Sequence, residues 1–151
     1  MKKINLTQGL VTLVDDEDYE YINQWKWFAV LNNKNYYACR NGKSGKFWMH
    51  REIIKTPDDL ICDHIDHNGL NNQKSNLRNV NKSQNAMNSR LNSNNKLREK
   101  CIRRHGAGFQ VRIVSVASNI YFCKTYRDFN EAILARDNAI KELCGEFGYI
   151  P

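Results

Sequence analysis

The sequence predicts an α+β fold with a small β-rich N-terminal part, a compact strand–loop–strand–helix unit and a C-terminal region of strands followed by a long helix. Three observations predict it. Short runs that alternate bulky and polar residues are separated by Asn- and Gly-rich turn formers. An Asn/Asp-rich loop lies between two apolar runs near residues 60–80. A single long stretch near the C-terminus carries apolar residues at helical spacing.

In chain order, "LVTLVD" (10–15) is rich in β-formers and reads as a strand. "DEDYEYINQ" (16–24) opens on acids that offset a helix dipole, and it reads as a short helix. The acids Asp15 to Asp18 resemble a metal cluster on composition, but the dipole reading is preferred. "WKWFAVL" and "NYYACR" flank "NNKN" and predict a hairpin; "NGKSGK" (41–46) is a second turn, leading into "FWMHREII". His50 in that run reads as a structural residue or a phosphate neighbour. "LICDHI" and "NLRNV" are short strands around the loop "DHNGLNNQKS", and Asn81 can cap the helix "KSQNAMNSRL". The polar, basic "NSNNKLREK" within 91–100 reads as a linker, or as an extended arm along a nucleic-acid groove. "GFQVRIVSV" and "NIYFCKTY" are strands, and "YRDFNEAILARDNAIKELCGEFG" is an amphipathic helix closing on Gly145.

Composition narrows the function. The 151 residues are 41% hydrophobic with mean hydropathy −0.69, enough for one domain or two to three very small ones. No apolar run has membrane-spanning length, and the lysines of "MKKINLTQG" are not followed by one, so no signal peptide and a cytoplasmic setting are expected. Five cysteines stand singly without CxxC spacing, which points to reduced thiols rather than a disulfide frame or zinc knuckle. Net charge is +7. Residues 61–105 carry nine Lys/Arg against three Asp/Glu, whereas residues 1–60 carry nine against eight and 106–151 five against five. A basic middle of this kind is the electrostatic footprint of a polyanion partner.

That middle opens with "ICDHIDHNGLNNQKSNLR" (61–78), and its residue types suit phosphodiester hydrolysis. The reaction needs an activated water, a cation beside the leaving oxygen and donors to the nonbridging oxygens. Imidazole takes a proton from water near neutral pH, and a hard cation such as Mg²⁺ takes carboxylate and amide oxygens while keeping several waters. Asp63 and His64 end the first strand. Asn76, expected to begin the second strand, can accept the Nδ1 proton of His64 and leave Nε2 as the base. Asn85, one turn inside the helix, can share a cation with Asp63, and Asn88 lies on the same helical face. His67, inside the loop, is a rival base.

The pattern "DHID-x₉-NLR-x₆-N-x₂-N" resembles HNH nucleases of the phage homing-endonuclease type, with Asn in place of the third-position His. "LVDDEDYEYINQWKW" and "MHR" (49–51) are similar to the N-terminal part of that family, so the likeness covers about residues 6–90. The resemblance implies a ββα-metal (His-Me finger) core holding one divalent ion, Mg²⁺ with Mn²⁺ as an alternative. It implies His64 as general base, Asn76 as its orienting partner, Asp63 and Asn85 as metal ligands, and products with a 3′-hydroxyl and a 5′-phosphate. The C-terminal "NEAILARDNAIKELCGEFGYIP" resembles the helix "AA-x-A-YD-x-AA-x-x-x-GE" of ethylene-response-factor DNA-binding domains, which implies a three-stranded sheet plus helix over 101–151. "CIRRHGAGFQ" departs from that pattern in lacking its Gly-Val opening and Trp, and "FCKTY" replaces Leu-Gly-x-Phe. Such domains read the major groove from the sheet.

The expected organisation is thus a nuclease region over 1–90, a linker over 91–100 and a DNA-binding domain over 101–151. The expected DNA-facing residues are Arg78, Asn88, Arg90, Lys96, Arg98, Arg103, Arg104, Gln110 and Arg112, with core packing an equal alternative for Phe109 and Tyr121. Double-stranded DNA is the expected partner, with no membrane and no obligate protein partner. Strand nicking is the expected outcome for a monomer, and paired nicks for a dimer. A DNA-binding regulator with an inactive nuclease site is the alternative from another class, and an RNA-processing or structural nucleic-acid protein is a second.

Overall fold

A computed structural model describes residues 1–92, 94–115 and 119–150, with the side chains of Ser115 and Ile120 outside the description. The fold is mixed α+β, in two compact units, Met1–Asn81 and Lys82–Pro151.

The first unit begins with strands β1 (Lys2–Asn5) and β2 (Val11–Val14), paired antiparallel with Lys2 opposite Val14. The β1 strand was not legible in the sequence, because only Ile4 of its four residues is buried. Helix α1 (Asp16–Ile22) carries Asp16, Glu17 and Asp18 in its first turn, as the dipole argument requires. These acids serve as ion-pair partners: Asp18 lies 2.9 Å from Lys74 Nζ, which also meets Glu17, and the chain's amino terminus meets Asp16.

The predicted hairpin is β3 (Phe28–Asn32) and β4 (Asn35–Gly42), closed by Asn33 and Lys34 at φ 46° and 69°. Positive φ at both central residues gives a two-residue turn whose twist matches the strands. Strand β5 (Gly45–Trp48) adds to β4 through the second predicted turn, and "MHREI" then forms a short helix, α2 (Met49–Ile53). Trp27 is buried between these elements, and its Nε1 donates to the Ile22 carbonyl at 2.8 Å. The core around it includes Ile4, Val14, Ile22, Ala38, Met49 and Leu77.

Strands β6 (Ile61–His64) and β7 (Leu77–Val80) form a separate antiparallel pair in this unit. The intervening loop is anchored to β2 by a parallel bridge. Leu13 N–H donates to Leu70 O and Asn72 N–H to Leu13 O, each at 2.8 Å. Gly69 sits where a Cβ would come within 2.4 Å of the Tyr36 carbonyl and 2.6 Å of the Tyr37 ring, so only glycine lets the loop lie on β4.

The second unit starts with α3 (Lys82–Met87), shorter than the predicted "KSQNAMNSRL". Its sheet has the order β10–β9–β8, with β8 (Ile102–His105), β9 (Gly108–Ser115) and β10 (Ile120–Tyr126) all antiparallel. The end of the predicted "GFQVRIVSV" strand, Val116, lies outside the described residues. Helix α4 (Phe129–Cys144) is capped by Asp128, which accepts from Glu131 N–H at 2.9 Å, and ends at Gly145 with φ 53°. Its inner side, with Ala132, Ala139 and Ile140, packs against Ile102, Val111, Ile113 and Phe122 of the sheet.

Residues 95–100, expected as part of a linker or free arm, are tied down inside this unit. Asn95 Nδ2 donates to Glu99 O at 2.8 Å. Arg136, 2% exposed on α4, donates to Glu99 Oε2 at 2.8 Å and to Lys100 O at 2.9 Å. Lys100 Nζ in turn donates to Ser89 O at 2.8 Å, and burial lowers the proton affinity of that amine. The polar composition of the segment gave no hint of this, because its anchor is a buried arginine some forty residues on. The five cysteines are free, as expected, with Cys39, Cys62 and Cys144 buried. Among the described residues, no helix is long and apolar enough to cross a membrane.

Candidate active site

The β6–β7 pairing sets Asp63 directly opposite Arg78 and His64 opposite Leu77. Arg78, expected to face DNA, reaches across instead. Its Nε donates to Asp63 Oδ2 at 3.0 Å, and its Nη2 lies 2.9 Å from the same oxygen. Both side chains are largely withdrawn from solvent, so the pair forms a charge-assisted clamp on the hairpin.

The loop between the strands answers why so many Asn and Asp are gathered there. Asp66 is its hub. Its Oδ1 accepts from Asn68 N–H at 2.7 Å and Asn76 Nδ2 at 2.9 Å, and its Oδ2 accepts from Asn71 Nδ2 at 2.8 Å. Burial pushes the Asp66 carboxyl up, but the hydrogen bonds from Asn71, the Asn68 amide and Asn76 outweigh it, so the net shift is downward. Asn35 clips the loop to β4, donating to His67 O at 2.8 Å. His67, the rival base, has φ 61° in this turn, and its N–H donates to the His64 carbonyl at 3.0 Å.

Asn76 is placed differently from expectation. It is the last residue of a 3-10 turn, Lys74–Asn76, rather than the first of the strand. Its Oδ1 accepts from Asp66 N–H at 3.0 Å, while its Nδ2 donates to Asp66 Oδ1 and to Asn71 O, the latter at 2.8 Å. The amide therefore braces the loop. The side chain beside the His64 imidazole is Asn72, fully buried, with Oδ1 3.2 Å from Nε2. So Nε2, expected to face the water, meets an amide oxygen instead. Asn72 Nδ2 donates to Thr12 Oγ1 at 2.7 Å, and Thr12 donates to Leu70 O at 2.8 Å. Nothing in the sequence separated Asn72 from the other turn formers, and Thr12 is sixty positions away.

His64 is 5% exposed. Burial lowers its proton affinity, partly offset by the Asn72 hydrogen bond and by the charges of Asp66 and Asp63, and the net shift keeps the ring neutral near neutral pH. Its ring stands 5.7 Å from Tyr37 and 5.1 Å from His50, both edge-on. His50 stacks on Trp48 and is 8% exposed; its proton affinity is pushed down to about 3, first by burial and then by His64 and Arg51. His50 is thus a structural, uncharged wall beside the His64 imidazole.

Asn85 lies on α3, in the second unit, half-buried. Asn88, just beyond that helix, is 4% exposed. Arg90, Lys96 and Arg98 are exposed along the segment that follows. On the sheet, Arg103 and Gln110 are cross-strand partners joined by hydrogen bonds of 2.9 and 2.7 Å. By strand alternation they share the open face with Arg112 and with Tyr121, which is 70% exposed. Arg104 falls on the opposite face, its guanidinium 5.0 Å from the Phe109 ring centre, and Phe109 packs on Phe129 at 4.7 Å. The core reading thus holds for Phe109, while Tyr121 is on the surface.

Among the described residues, no three His, Cys, Asp or Glu side chains gather into a metal-binding cluster. The donors at hand near His64 are hard oxygens, chiefly the Asp63 carboxylate. That chemistry fits a cation that keeps several waters and takes further oxygens from a phosphate, as Mg²⁺ does, better than a protein-enclosed zinc.

No protein-family model matches the chain, and no solved structure matches it. Among curated proteins, it is similar to "Uncharacterized HNH endonuclease L560" of Acanthamoeba polyphaga mimivirus, with 35% identity over 95 residues, 59% of this chain. The match spans 49% of that protein, so it covers about half of the relative's length. This partial match supports an HNH nuclease family for the chain.

Proposed function

We propose that the chain is a metal-dependent HNH-type endonuclease that hydrolyses phosphodiester bonds in duplex DNA, nicking one strand per event, as a site-preferring enzyme of the phage homing type. The observation that carries this reading is the end of β6. There a neutral imidazole and a carboxylate are adjacent in the chain, on a hairpin whose loop is locked by side-chain hydrogen bonds. The similarity to an HNH endonuclease supports it.

In this reading a ββα-metal core is assigned to about residues 60–90 on the sequence pattern. His64 takes a proton from water; the oxygen keeps the electron pair and bonds to phosphorus as the P–O3′ bond breaks with its pair on O3′, which takes a proton from solvent water, leaving a 5′-phosphate and a 3′-hydroxyl. Burial keeps His64 unprotonated and ready to act as a base. Asn76 holds the loop that carries the geometry. Asp63 is the ligand assigned to the divalent cation, Mg²⁺ or Mn²⁺, and Asn85 keeps its ligand role on the sequence pattern alone. The cation, when bound, stabilises negative charge on the phosphate and leaving oxygens. Arg103, Gln110 and Arg112 on the open sheet face, with Arg90, Lys96 and Arg98, supply contacts to DNA.

The engagement of Asp63 Oδ2 by Arg78 favours a second reading, a DNA-binding regulator with an inactive site. Supercoiled plasmid incubated with Mg²⁺, with Mn²⁺ and with chelator separates the two. Relaxed circle that forms with the metal and not with chelator supports the endonuclease. Binding in a gel-shift assay without relaxed circle at any divalent-ion concentration supports the regulator.

A further inference from the structure

We infer that Gln110 is a specificity-determining residue whose side-chain oxygen is occupied by Arg103, so that the pair offers a DNA base only donors and selects guanine against adenine. The inference rests on the reading of the open sheet face as a DNA contact, and it names the base that this part of the face takes. Arg103 and Gln110 are cross-strand partners on β8 and β9. Arg103 Nε and Nη2 reach the same atom of the Gln110 amide, at 2.9 and 2.7 Å. A guanidinium has donors and no acceptor, so the atom they share is the oxygen and not the nitrogen. The orientation of the amide is therefore forced.

That orientation decides what the amide can read. An amide oxygen has two lone pairs, and here both meet an N–H of Arg103. A glutamine reads adenine by accepting from the N6 amine with its oxygen while donating to N7 with its nitrogen. At Gln110 the accepting half of that contact is already taken, by bonds that the charge of Arg103 strengthens. The NH₂ group of Gln110 and the other N–H groups of the guanidinium are all donors. Guanine shows two neighbouring acceptors in the major groove, N7 and O6, and no donor. Adenine puts its N6 amine where guanine has O6, so it meets the pair donor to donor. Thymine offers O4 alone, and cytosine offers a donor.

The surroundings suit a polyanion. None of the residues of β8, β9 and β10 is acidic, and Arg112 stands two residues along β9 from Gln110 on the same face. The backbone holds the pair in register from both sides. Arg112 N–H donates to the Cys101 carbonyl at 2.8 Å, and the turn at Gly106, with φ 56°, closes the other end of the hairpin between His105 and Gly108. Arg103 is thus ordered before any base arrives, so part of the cost of fixing its long side chain falls on folding rather than on binding.

The test uses the full chain with chelator present, so that duplexes are bound and not cut. Random duplexes enriched by the wild type and by Arg103→Met, which keeps the stem without the guanidinium, are sequenced. The wild-type site should carry guanine where the two proteins differ, and Arg103→Met should move that position toward adenine, because the Gln110 oxygen is released. Each guanine of the wild-type site is then replaced in turn. At the position read by the pair, 7-deazaguanine, which lacks N7, should weaken wild-type binding by about tenfold, and adenine by at least as much. Inosine, which keeps N7 and O6 and loses only the minor-groove amine, should bind within about twofold of guanine. The 7-deazaguanine penalty should vanish in Arg103→Met. A wild-type site in which no guanine responds to loss of N7 overturns the proposal without any variant having to fold. A folded Arg103→Met protein that keeps the same guanine preference and the same penalty overturns it too. In both cases the duplex is still bound, so the DNA-contact reading stands; a wild-type chain that binds no duplex sinks that reading and the proposal together.

Discussion

His50 should make the first unit acid-sensitive well above the range where carboxylates protonate. The imidazole is 8% exposed, stacked on Trp48 and edge-on to the His64 ring, with its proton affinity pushed from the ordinary 6.5 down to about 3. In the unfolded chain it binds a proton as pH falls through about 6.5, whereas in the native state it stays neutral until about 3. The unfolded state therefore binds more protons throughout that window, so stability is full above about pH 6.5 and falls as pH drops. Each pH unit inside the window costs about 1.4 kcal/mol, so moving from about pH 7.5 to about pH 5 should remove roughly 2 kcal/mol. His64, shifted in the same direction, adds to the slope.

The isolating variant is His50→Phe, which keeps an aromatic ring without the titrating nitrogen. Urea unfolding can be followed by tryptophan fluorescence, because all three tryptophans, Trp25, Trp27 and Trp48, lie in the first unit. The wild-type loss between about pH 7.5 and about pH 5 should exceed that of the variant by roughly 2 kcal/mol. Equal slopes for the two proteins would mean that His50 gains a proton in the native state without penalty, and the burial argument would be refuted.

Three further outcomes are expected. His64→Ala should abolish plasmid nicking while leaving gel-shift affinity within about twofold, since the base acts on water and not on the complex. Asp63→Asn should eliminate metal-dependent nicking and also destabilise the first unit by about 3 kcal/mol, because it removes one charge of the withdrawn Asp63–Arg78 pair; the same fluorescence titration reads the second effect. Arg112→Ala, on the open sheet face, should weaken DNA binding or relax site preference by about 1–3 kcal/mol if it makes a bidentate base contact; Arg104→Ala, on the helix side against Phe109, should change affinity far less.

What the sequence made legible was local. The turn at Asn33–Lys34, the acidic start of α1 and the Gly145 end of α4 each depend on residues within a few positions of one another, and each was found; the Asp128 cap was not singled out. What it hid was non-local. Arg136 anchoring Glu99 and Lys100, Thr12 behind Asn72, and His50 against His64 join positions from 14 to 60 apart, which no periodicity encodes. The asparagines show the reason most clearly. Asn71, Asn72 and Asn76 have the same side chain in the same loop, yet Asn71 and Asn76 bond to Asp66 while Asn72 points to an imidazole. Residue type marked the stretch as a loop of turn formers; only the bridge to β2 decides which amide reaches the imidazole. That bridge also joins the proposed chemistry to the fold. Any change that slips the 70–72 segment along β2 would move Asn72 away from His64, so the pairing of two short backbone segments sets which amide meets the imidazole.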